Sequence, residues 1–141
     1  MTHKELNELG KKFLQGKCSN GRYKCQVIRA ELKSSANEIP DVVGFYSGAC
    51  VIIESKTSMA DFNRDRNKTH RETGMGDYRF FLCKDNLIKE EHLYDDWGLL
   101  HTDGKDVKII KHATYRGKER SRFEDCLIMY SIIRRLESKK P

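Results

Sequence analysis

The sequence of 141 residues contains no long apolar run, only two prolines and a single tryptophan. No stretch approaches the roughly 18–20 apolar residues that cross a bilayer, so we do not expect a transmembrane protein or a membrane partner. The first residues carry no apolar stretch of the signal-peptide kind, so we expect a cytoplasmic protein. No internal repeat, low-complexity tract or linker divides the chain, and its length suits one domain over residues 1–141.

The cysteines show no pairing or metal-binding pattern. There are five, an odd number, and none belongs to a Cys-x-x-Cys pair. Neither the cysteines nor His101 and His112 have the spacing of zinc ligands. We therefore expect reduced thiols, mostly buried as small apolar side chains, as in cytosolic proteins. The segment Gly74-Met75-Gly76 does not fit a phosphate-loop pattern, so nucleotide binding of that kind is not indicated.

Positive charge is concentrated at one end of the chain. The net charge is +6, yet residues 1–104 hold 16 basic and 16 acidic side chains. Residues 105–141 hold 11 basic and 5 acidic side chains and so carry the whole excess. A basic region of this kind favours a polyanionic partner such as nucleic acid. The alternative is an ordinary solvated helix surface.

Start signals and apolar periodicity predict three helices. Thr2-x-x-Glu5 and Ser121-x-x-Glu124 have the pattern of capping boxes, and Ser58-x-x-Asp61 can cap a third helix. These helices are expected to run to about Gln15, Ser138 and Thr69, respectively. In the last one, an amphipathic helix that begins at Arg122, one flank carries Phe123, Leu127, Tyr130 and Ile133.

Segments rich in β-branched and aromatic residues predict strands between the helices. Ser47-Gly48 supplies a two-residue turn for a hairpin between strands 41–46 and 49–56. The other strands are expected over residues 23–31, 78–83, 97–101 and 107–111. The order helix, three strands, helix, strands, helix indicates an α/β fold in which helices flank a central mixed β-sheet.

The hairpin brings two acidic residues together. A two-residue turn pairs residues whose numbers sum to 95, so Asp41 faces Glu54 with Cβ atoms about 4.5–5.5 Å apart. Two carboxylates at that distance repel each other unless a positive charge lies between them, and Mg²⁺ binds one or two carboxylates with water and phosphate oxygens. Strand alternation puts Lys56 on the face of Glu54, where its ammonium could orient a water nucleophile or stabilise charge on a phosphate. The alternative is a surface salt bridge between strand residues.

The pattern Pro40-Asp41…Glu54-x-Lys56, flanked by β-branched strands and followed by a helix, resembles the motif of the PD-(D/E)XK nuclease superfamily. The resemblance implies a restriction-endonuclease-like α/β/α domain. It also implies hydrolysis of a phosphodiester by water, with Mg²⁺ as the cofactor and Mn²⁺ as a possible substitute.

The segment that follows sharpens the resemblance. Asp61-Phe62-x-x-Asp65-x-x-Lys68, and then Tyr78-Arg79-Phe80-Phe81, is most similar to the MmcB-like DNA-repair family and to small phage-type nucleases. Lys68 stands one place later than the corresponding lysine of that family. The resemblance covers residues 25–100, and its specificity depends on the strand–strand–helix context because the motif is short and degenerate.

The resemblance implies a metal site and a catalytic lysine. Asp41 and Glu54 would be catalytic and would hold the metal together with the carbonyl of Ser55, while Lys56 would be the catalytic lysine. Many superfamily members add an acidic residue from an earlier element, for which Glu31 is the candidate here. Glu31 could equally be a solvated strand end, and the alternatives on the first helix are Glu5 and Glu8.

Basic residues after the motif and before the last helix are candidate contacts to DNA phosphates. Such contacts give sequence-independent affinity that falls with salt. The alternative in both places is a solvated surface balanced by neighbouring acidic residues. The candidates are Arg64, Arg66, Lys68 and Arg71 in the first set and Arg116, Lys118 and Arg120 in the second, which continues to Arg122.

The sequence therefore leads to a small metal-dependent nuclease that acts on DNA, in repair, recombination or phage DNA metabolism. A domain of this size has little surface for reading sequence, so we expect cleavage selected by DNA structure or reliance on a homodimer or protein partner. Two alternatives stay open: a non-catalytic nucleic-acid-binding module on the same fold, and an RNA-processing or interaction protein in which the triad is only structural. Metal binding separates the nuclease from both.

Overall fold

The computed structural model describes residues 1–17, 21–36, 39–65, 74–94, 96–118 and 120–139. The elements within these ranges, in chain order, are α1 (His3–Leu14), β1 (Val27–Ala30), β2 (Val42–Tyr46), β3 (Ala49–Ser55), α2 (Met59–Arg64), β4 (Tyr78–Lys84), a 3₁₀ helix (Glu90–His92), β5 (Gly98–Thr102), β6 (Val107–Lys111) and α3 (Phe123–Ser138).

The strands form one mixed sheet in the order β1-β2-β3-β4-β5-β6. The first three strands pair antiparallel, β3 pairs parallel with β4 and β4 with β5, and β6 returns antiparallel to β5. Parallel neighbouring strands cannot be joined by a tight turn, so a longer crossover connects β3 to β4. The short helix α2 lies in this crossover. This architecture confirms the predicted α/β fold with a central mixed sheet.

The register of the β2–β3 hairpin is the predicted one. Tyr46 faces Ala49 and Val42 faces Ile53, so the numbers of facing residues sum to 95. Ser47 and Gly48 both have positive φ values, 39° and 81°. Such a turn has the twist that matches two antiparallel strands.

Helices cover both faces of the sheet. On one face, α1 buries Leu6, Phe13 and Leu14 against side chains that include Val42 and Ile53. The opposite face has two parts: α3 packs through Ile128 and Ile132, and α2 packs through Phe62 near Phe81 and Trp97. Because strand side chains alternate between faces, Glu54 projects on the side of α2 and α3, and Ser55 on the side of α1.

The first two helices begin as predicted. Thr2 and Glu5 exchange the two hydrogen bonds of a capping box, at 3.1 and 3.2 Å. The Ser58 hydroxyl accepts from the Asp61 N–H at 3.0 Å, and α2 ends at Arg64. Residues 66–73 lie outside the described ranges, and the predicted extension of this helix to Thr69 falls there.

The predicted start of α3 is wrong by one residue. Its N-cap is Arg122, so Asp125, and not Glu124, occupies the third helical position. The Ser121 hydroxyl accepts from the N–H of Phe123 at 3.1 Å instead of capping the helix as predicted. The buried side of α3 carries Asp125, Ile128 and Ile132, so the apolar flank that begins with Phe123 does not pack on the sheet.

The four described cysteines are free thiols: Cys25, Cys50 and Cys83 are buried and Cys126 is exposed. Burial raises the pKa of Cys25 to about 12 and that of Cys83 to about 11. This agrees with the expectation of reduced, mostly buried thiols. Within the described ranges, no helix combines the length and apolar character needed to span a membrane.

Candidate functional site

Asp41 and Glu54 lie at the open end of the β2–β3 hairpin. Asp41 directly precedes β2, and its Oδ2 accepts a 2.8 Å hydrogen bond from the backbone N–H of Ser55. On the other side of β3, the N–H of Lys56 donates to the carbonyl of Leu82 at 2.9 Å. The end of β3 is therefore held from both sides, and the Asp41 carboxylate is fixed beside the backbone of Glu54.

Pro40 explains why a side chain, and not a backbone carbonyl, accepts the N–H of Ser55. The hairpin register would place Pro40 opposite Ser55, but proline has no N–H and cannot donate to the carbonyl of Ser55. The ladder therefore stops at Val42, and the Asp41 carboxylate accepts the N–H that a backbone carbonyl would otherwise accept. A proline–aspartate pair thus ends the strand and presents a carboxylate next to a backbone carbonyl.

Lys56 is buried beside the site, with 3% of its surface exposed. Its ammonium forms an ion pair with Asp65, the C-cap residue of α2, and lies 6.0 Å from the centre of the Phe81 ring. Burying a lysine is costly unless a carboxylate pairs with it, so Asp65 helps to hold this side chain in place. Glu54 is nearly as buried, at 6% exposed.

The position of Asp65 depends on how α2 begins. Oδ2 of Asp61 accepts from the Thr57 N–H at 3.1 Å and contacts Nε2 of His3 at 3.2 Å. These bonds tie the first turn of α2 to the end of β3 and to the start of α1. Asp65 follows one turn later, at the end of α2, where its carboxylate pairs with the ammonium of Lys56.

On the α1 side of the sheet, Asn7 connects two of the predicted site residues. Its amide oxygen accepts from the Ser55 hydroxyl at 2.7 Å, and its amide nitrogen donates to Oε1 of Glu31 at 3.2 Å. Asn7 is 2% exposed, so both of these hydrogen bonds are buried or nearly so. Glu31 has a left-handed backbone (φ 52°) and donates its N–H to the carbonyl of Asp41 at 2.9 Å.

The donor set fits a hard divalent cation only in part. The carboxylates of Asp41 and Glu54 and the carbonyl of Ser55 are all oxygen donors, the kind that Mg²⁺ prefers. No group of three or more His, Cys, Asp or Glu side chains suited to a metal ion occurs among the described residues. Glu31 is bonded to Asn7 on the α1 side, so the structure does not bring together the predicted third carboxylate and the other two.

The two acidic alternatives on α1 have local roles. Glu5 accepts from the backbone N–H of Thr2 in the capping box, and this hydrogen bond lowers the pKa of Glu5. Glu8 lies 3.6 Å from Lys11, one turn along the same helix. Both side chains therefore serve α1 itself.

The predicted phosphate contacts divide into three groups. Arg64 and Lys118 are exposed, and Arg64 lies 3.6 Å from Asp61. Arg116 and Arg120 are engaged inside the fold. The remaining three, Arg66, Lys68 and Arg71, lie outside the described ranges.

Arg116 and Arg120 hold the loop before β4, at the opposite end of β3 from Asp41. The Arg116 guanidinium donates to the backbone carbonyls of Gly74, Met75 and Gly76. The Arg120 side chain is 3% exposed and pairs with Asp77 and Asp125. These are structural contacts that the basic run in the sequence did not predict, and they use the groups that would otherwise bind phosphate.

Asp77 is the centre of that buried ionic network. Its two oxygens receive the N–H of Cys50 at 2.7 Å and the guanidinium groups of Arg120 and Arg122 at 3.0 and 3.1 Å. Burial alone would raise the pKa of Asp77, but these hydrogen bonds and positive charges outweigh burial and lower it. The network ties the starts of β3 and β4 to the start of α3.

Comparison with known proteins gives the fold alone. No family model matches the chain, and neither does any curated protein. Among solved structures, the chain is similar to the "SPO1766 protein of unknown function from Silicibacter pomeroyi", with a TM-score of 0.58 and 24% sequence identity over 79% of this chain and 77% of that one. The two proteins thus share an α/β architecture with a mixed sheet and flanking helices.

Sequence reasoning did not single out Asp65 or Asn7 for the site. The position of Asp65 could have indicated it, because Asp65 lies one short helix beyond Lys56, after the Ser58 cap. Asn7 carried a weaker signal, since it shares a helical face with Gly10 and Leu14, which are both buried. A polar residue on an otherwise buried face indicates a buried hydrogen-bond partner.

Proposed function

We propose that the protein is a metal-dependent nuclease that hydrolyses phosphodiester bonds in DNA. The observation that carries the proposal is the arrangement at the end of the hairpin, where Asp41 is bonded to the backbone beside Glu54, and Lys56 lies two residues further along. The order of elements around it supports the proposal: a helix, three antiparallel strands, a helix and a parallel strand surround a Pro-Asp…Glu-x-Lys motif.

In this proposal each residue at the hairpin end has one task. Asp41, Glu54 and the carbonyl of Ser55 hold the divalent cation. A bound Mg²⁺ or Mn²⁺ supplies positive charge that stabilises the negative charge developing on the phosphate. Lys56 donates a hydrogen bond to a phosphate oxygen or to the attacking water. Asp65 positions Lys56 through their ion pair.

DNA would be held mainly through its phosphates. Arg64 is the last residue of α2, with 77% of its side chain exposed, and Lys118 is exposed on the loop before α3. Phosphate contacts of this kind give affinity without sequence information, and the affinity falls as salt rises. The substrate is therefore expected to be selected by its shape.

The experiment that tests the proposal is DNA cleavage with and without metal. Labelled single- and double-stranded DNA is incubated with the wild-type chain in Mg²⁺, in Mn²⁺ and in EDTA. Glu54→Gln is run beside Glu91→Gln, a matched change at an exposed glutamate of the 3₁₀ helix. We expect cleavage that requires metal, is lost in Glu54→Gln and persists in Glu91→Gln. Cleavage that continues in EDTA would contradict the metal requirement.

A non-catalytic nucleic-acid-binding module is the second candidate. The ion pair between Lys56 and Asp65 favours it, because an ammonium that is bonded inside the fold has a structural use that needs no chemistry. This candidate predicts DNA binding in EDTA and no cleavage in any metal. RNA competition in the same binding assay shows whether the polyanion is DNA.

A further inference from the structure

The side of α3 that faces away from the sheet is apolar. Phe123, Tyr130 and Ile133 expose 65%, 61% and 58% of their surface. Together with three more exposed side chains they form a patch, which we call the outer stripe: Phe123, Cys126, Met129, Tyr130, Ile133 and Leu136.

The spacing of the outer stripe is that of a helix–helix seam. Phe123, Cys126, Tyr130 and Ile133 follow one another at intervals of three, four and three residues. Side chains at these intervals line one side of a helix and interlock with a second helix laid along it. An isolated surface leucine needs no partner, but a continuous apolar stripe on a helix that already packs through its other side indicates a binding surface.

The apolar surface continues from α3 onto the sheet edge. A groove between α3 and the β1–β2 edge is lined by Val27, Phe45, Met129, Ile133 and Leu136, among others. β1 is the first strand of the sheet order, so one of its sides pairs with no strand of the described sheet. The patch is therefore wider than one helix face.

The outer stripe is self-complementary when it is reversed end to end. A two-fold axis midway between Met129 and Tyr130 relates residues whose numbers sum to 259. It places Phe123 opposite Leu136 of a second copy and Cys126 opposite Ile133 of that copy, so each apolar side chain meets another. Every side chain of the stripe therefore lies opposite a side chain of the same stripe in the second copy.

The charged residues at the two ends of the stripe follow the same symmetry. Arg122 is the N-cap of α3, with 44% of its side chain exposed, and Glu137 is exposed in the last turn. Their numbers sum to 259, so an antiparallel pair sets Arg122 opposite Glu137 of the second copy. A parallel pair would set each of these two residues opposite itself. Opposite charges at such positions set the orientation of a helix pair.

We propose that the outer stripe is the interface of a homodimer in which two α3 helices pack antiparallel across a two-fold axis. The stripe covers about 20 Å of helix at 1.5 Å per residue. Phe123 and Tyr130 still expose 65% and 61% of their surface, so each can add about 90–160 Å² to the roughly 800 Å² per partner of a standard interface. The same surface serves both copies, as a two-fold interface requires. The inference is independent of the proposed nuclease activity.

Oligomeric state and its dependence on the stripe form the first test. Sedimentation equilibrium of the wild-type chain is compared with Ile133→Asp and with Ile39→Asp. Ile39 is exposed to a similar degree, 51%, but lies outside α3. We expect a dimer for the wild type and for Ile39→Asp, and a monomer with unchanged circular dichroism for Ile133→Asp. A wild-type chain that stays monomeric at about 100 µM, a hundredfold above a micromolar Kd, overturns the proposal. The outer stripe would then be a surface for a different protein.

Orientation is tested by charge reversal and by disulfide trapping. Glu137→Arg is expected to weaken the dimer, because it sets two positive charges together at each end of an antiparallel interface. Under mild oxidation with diamide, Ile133→Cys should form a covalent dimer through Cys126 of the other copy, while the wild type should not. A wild-type disulfide dimer through Cys126 would show a parallel pair and overturn the antiparallel arrangement.

Discussion

The backbone N–H of Ser55 donates a 2.8 Å hydrogen bond to Oδ2 of Asp41, across the end of the β2–β3 hairpin. This bond does two things at once. It caps a strand that proline prevents from pairing further, and it holds a carboxylate beside Glu54. Fold and candidate chemistry therefore depend on the same side chain, and substitutions can separate the two.

Two substitutions at Asp41 should separate charge from hydrogen bonding. Asp41→Asn keeps an oxygen that can accept from the Ser55 N–H but removes the charge. We expect its thermal unfolding to stay close to wild type while DNA cleavage is lost. Asp41→Ala also leaves a backbone donor without its partner, which costs about 1–3 kcal/mol. If Asp41→Asn cleaves DNA at the wild-type rate, Asp41 is a structural cap only.

The Lys56–Asp65 ion pair should affect turnover more than binding. Asp65→Asn removes the charge that positions Lys56, and we expect kcat to fall at least tenfold with KM for DNA within about twofold, since the lost stabilisation belongs to the transition state. Asp103→Asn, a carboxylate in the exposed turn before β6, is the matched control. If kcat/KM falls by a similar factor only because KM rises, with kcat unchanged, Asp65 contributes to DNA binding and not to turnover.

The buried network around Asp77 should dominate stability. Asp77→Asn removes one of the two carboxylates that pair with the buried Arg120 guanidinium, so we expect a loss of about 1.5–3 kcal/mol in the free energy of unfolding. Arg122→Ala removes a guanidinium that is 44% exposed and should cost no more than about 1 kcal/mol. Urea unfolding of the two variants measures the difference. Equal costs would mean that the network is not centred on Asp77.

The same residue predicts an acid dependence. The pKa of Asp77 is lowered in the folded chain, so its charge adds stability above the unfolded value of about 3.9, and that contribution is lost as pH falls through the folded pKa. The gap in melting temperature between wild type and Asp77→Asn should therefore be wide at pH 7 and should narrow below about pH 4. A gap that stays constant with pH would contradict the assignment.

Asn7 should be coupled to Ser55. Asn7→Leu leaves the buried Ser55 hydroxyl without its acceptor, and we expect a loss of about 1–3 kcal/mol. Ser55→Ala removes the donor, so the double variant should lose less than the sum of the two single changes, with a coupling of at least about 0.5 kcal/mol. Strictly additive losses would show that the 2.7 Å hydrogen bond adds nothing to stability.

The hairpin could be predicted well because the signals that specify it are local. Ser47-Gly48 specifies the turn and the turn fixes the register, so the pairing of β2 with β3 as far as Val42 and Ile53 follows from residue spacing alone. Local signals also predicted α1 and the start of α2, where Thr2 and Ser58 cap the helices as expected.

The features that the sequence did not predict depend on distant contacts. The basic run before α3 is typical of a phosphate-binding surface, but Arg116 and Arg120 meet partners about forty residues away in the chain, at Gly76 and Asp77. The apolar flank of α3 has the pattern of a core face, although burial follows Ile128 and Ile132 instead. A single sequence does not show which of two apolar faces of a helix packs on its sheet.

The most direct test of the central claim is the single-turnover rate of DNA cleavage by Lys56→Met in saturating Mg²⁺. The control is Lys84→Met, at an exposed lysine that ends β4. Circular dichroism confirms that both variants are folded. We expect a wild-type rate for Lys84→Met and a rate lower by at least about 10²-fold for Lys56→Met, the effect of removing one transition-state donor. A wild-type chain without cleavage, or a Lys56→Met variant as fast as wild type, would contradict the proposed nuclease.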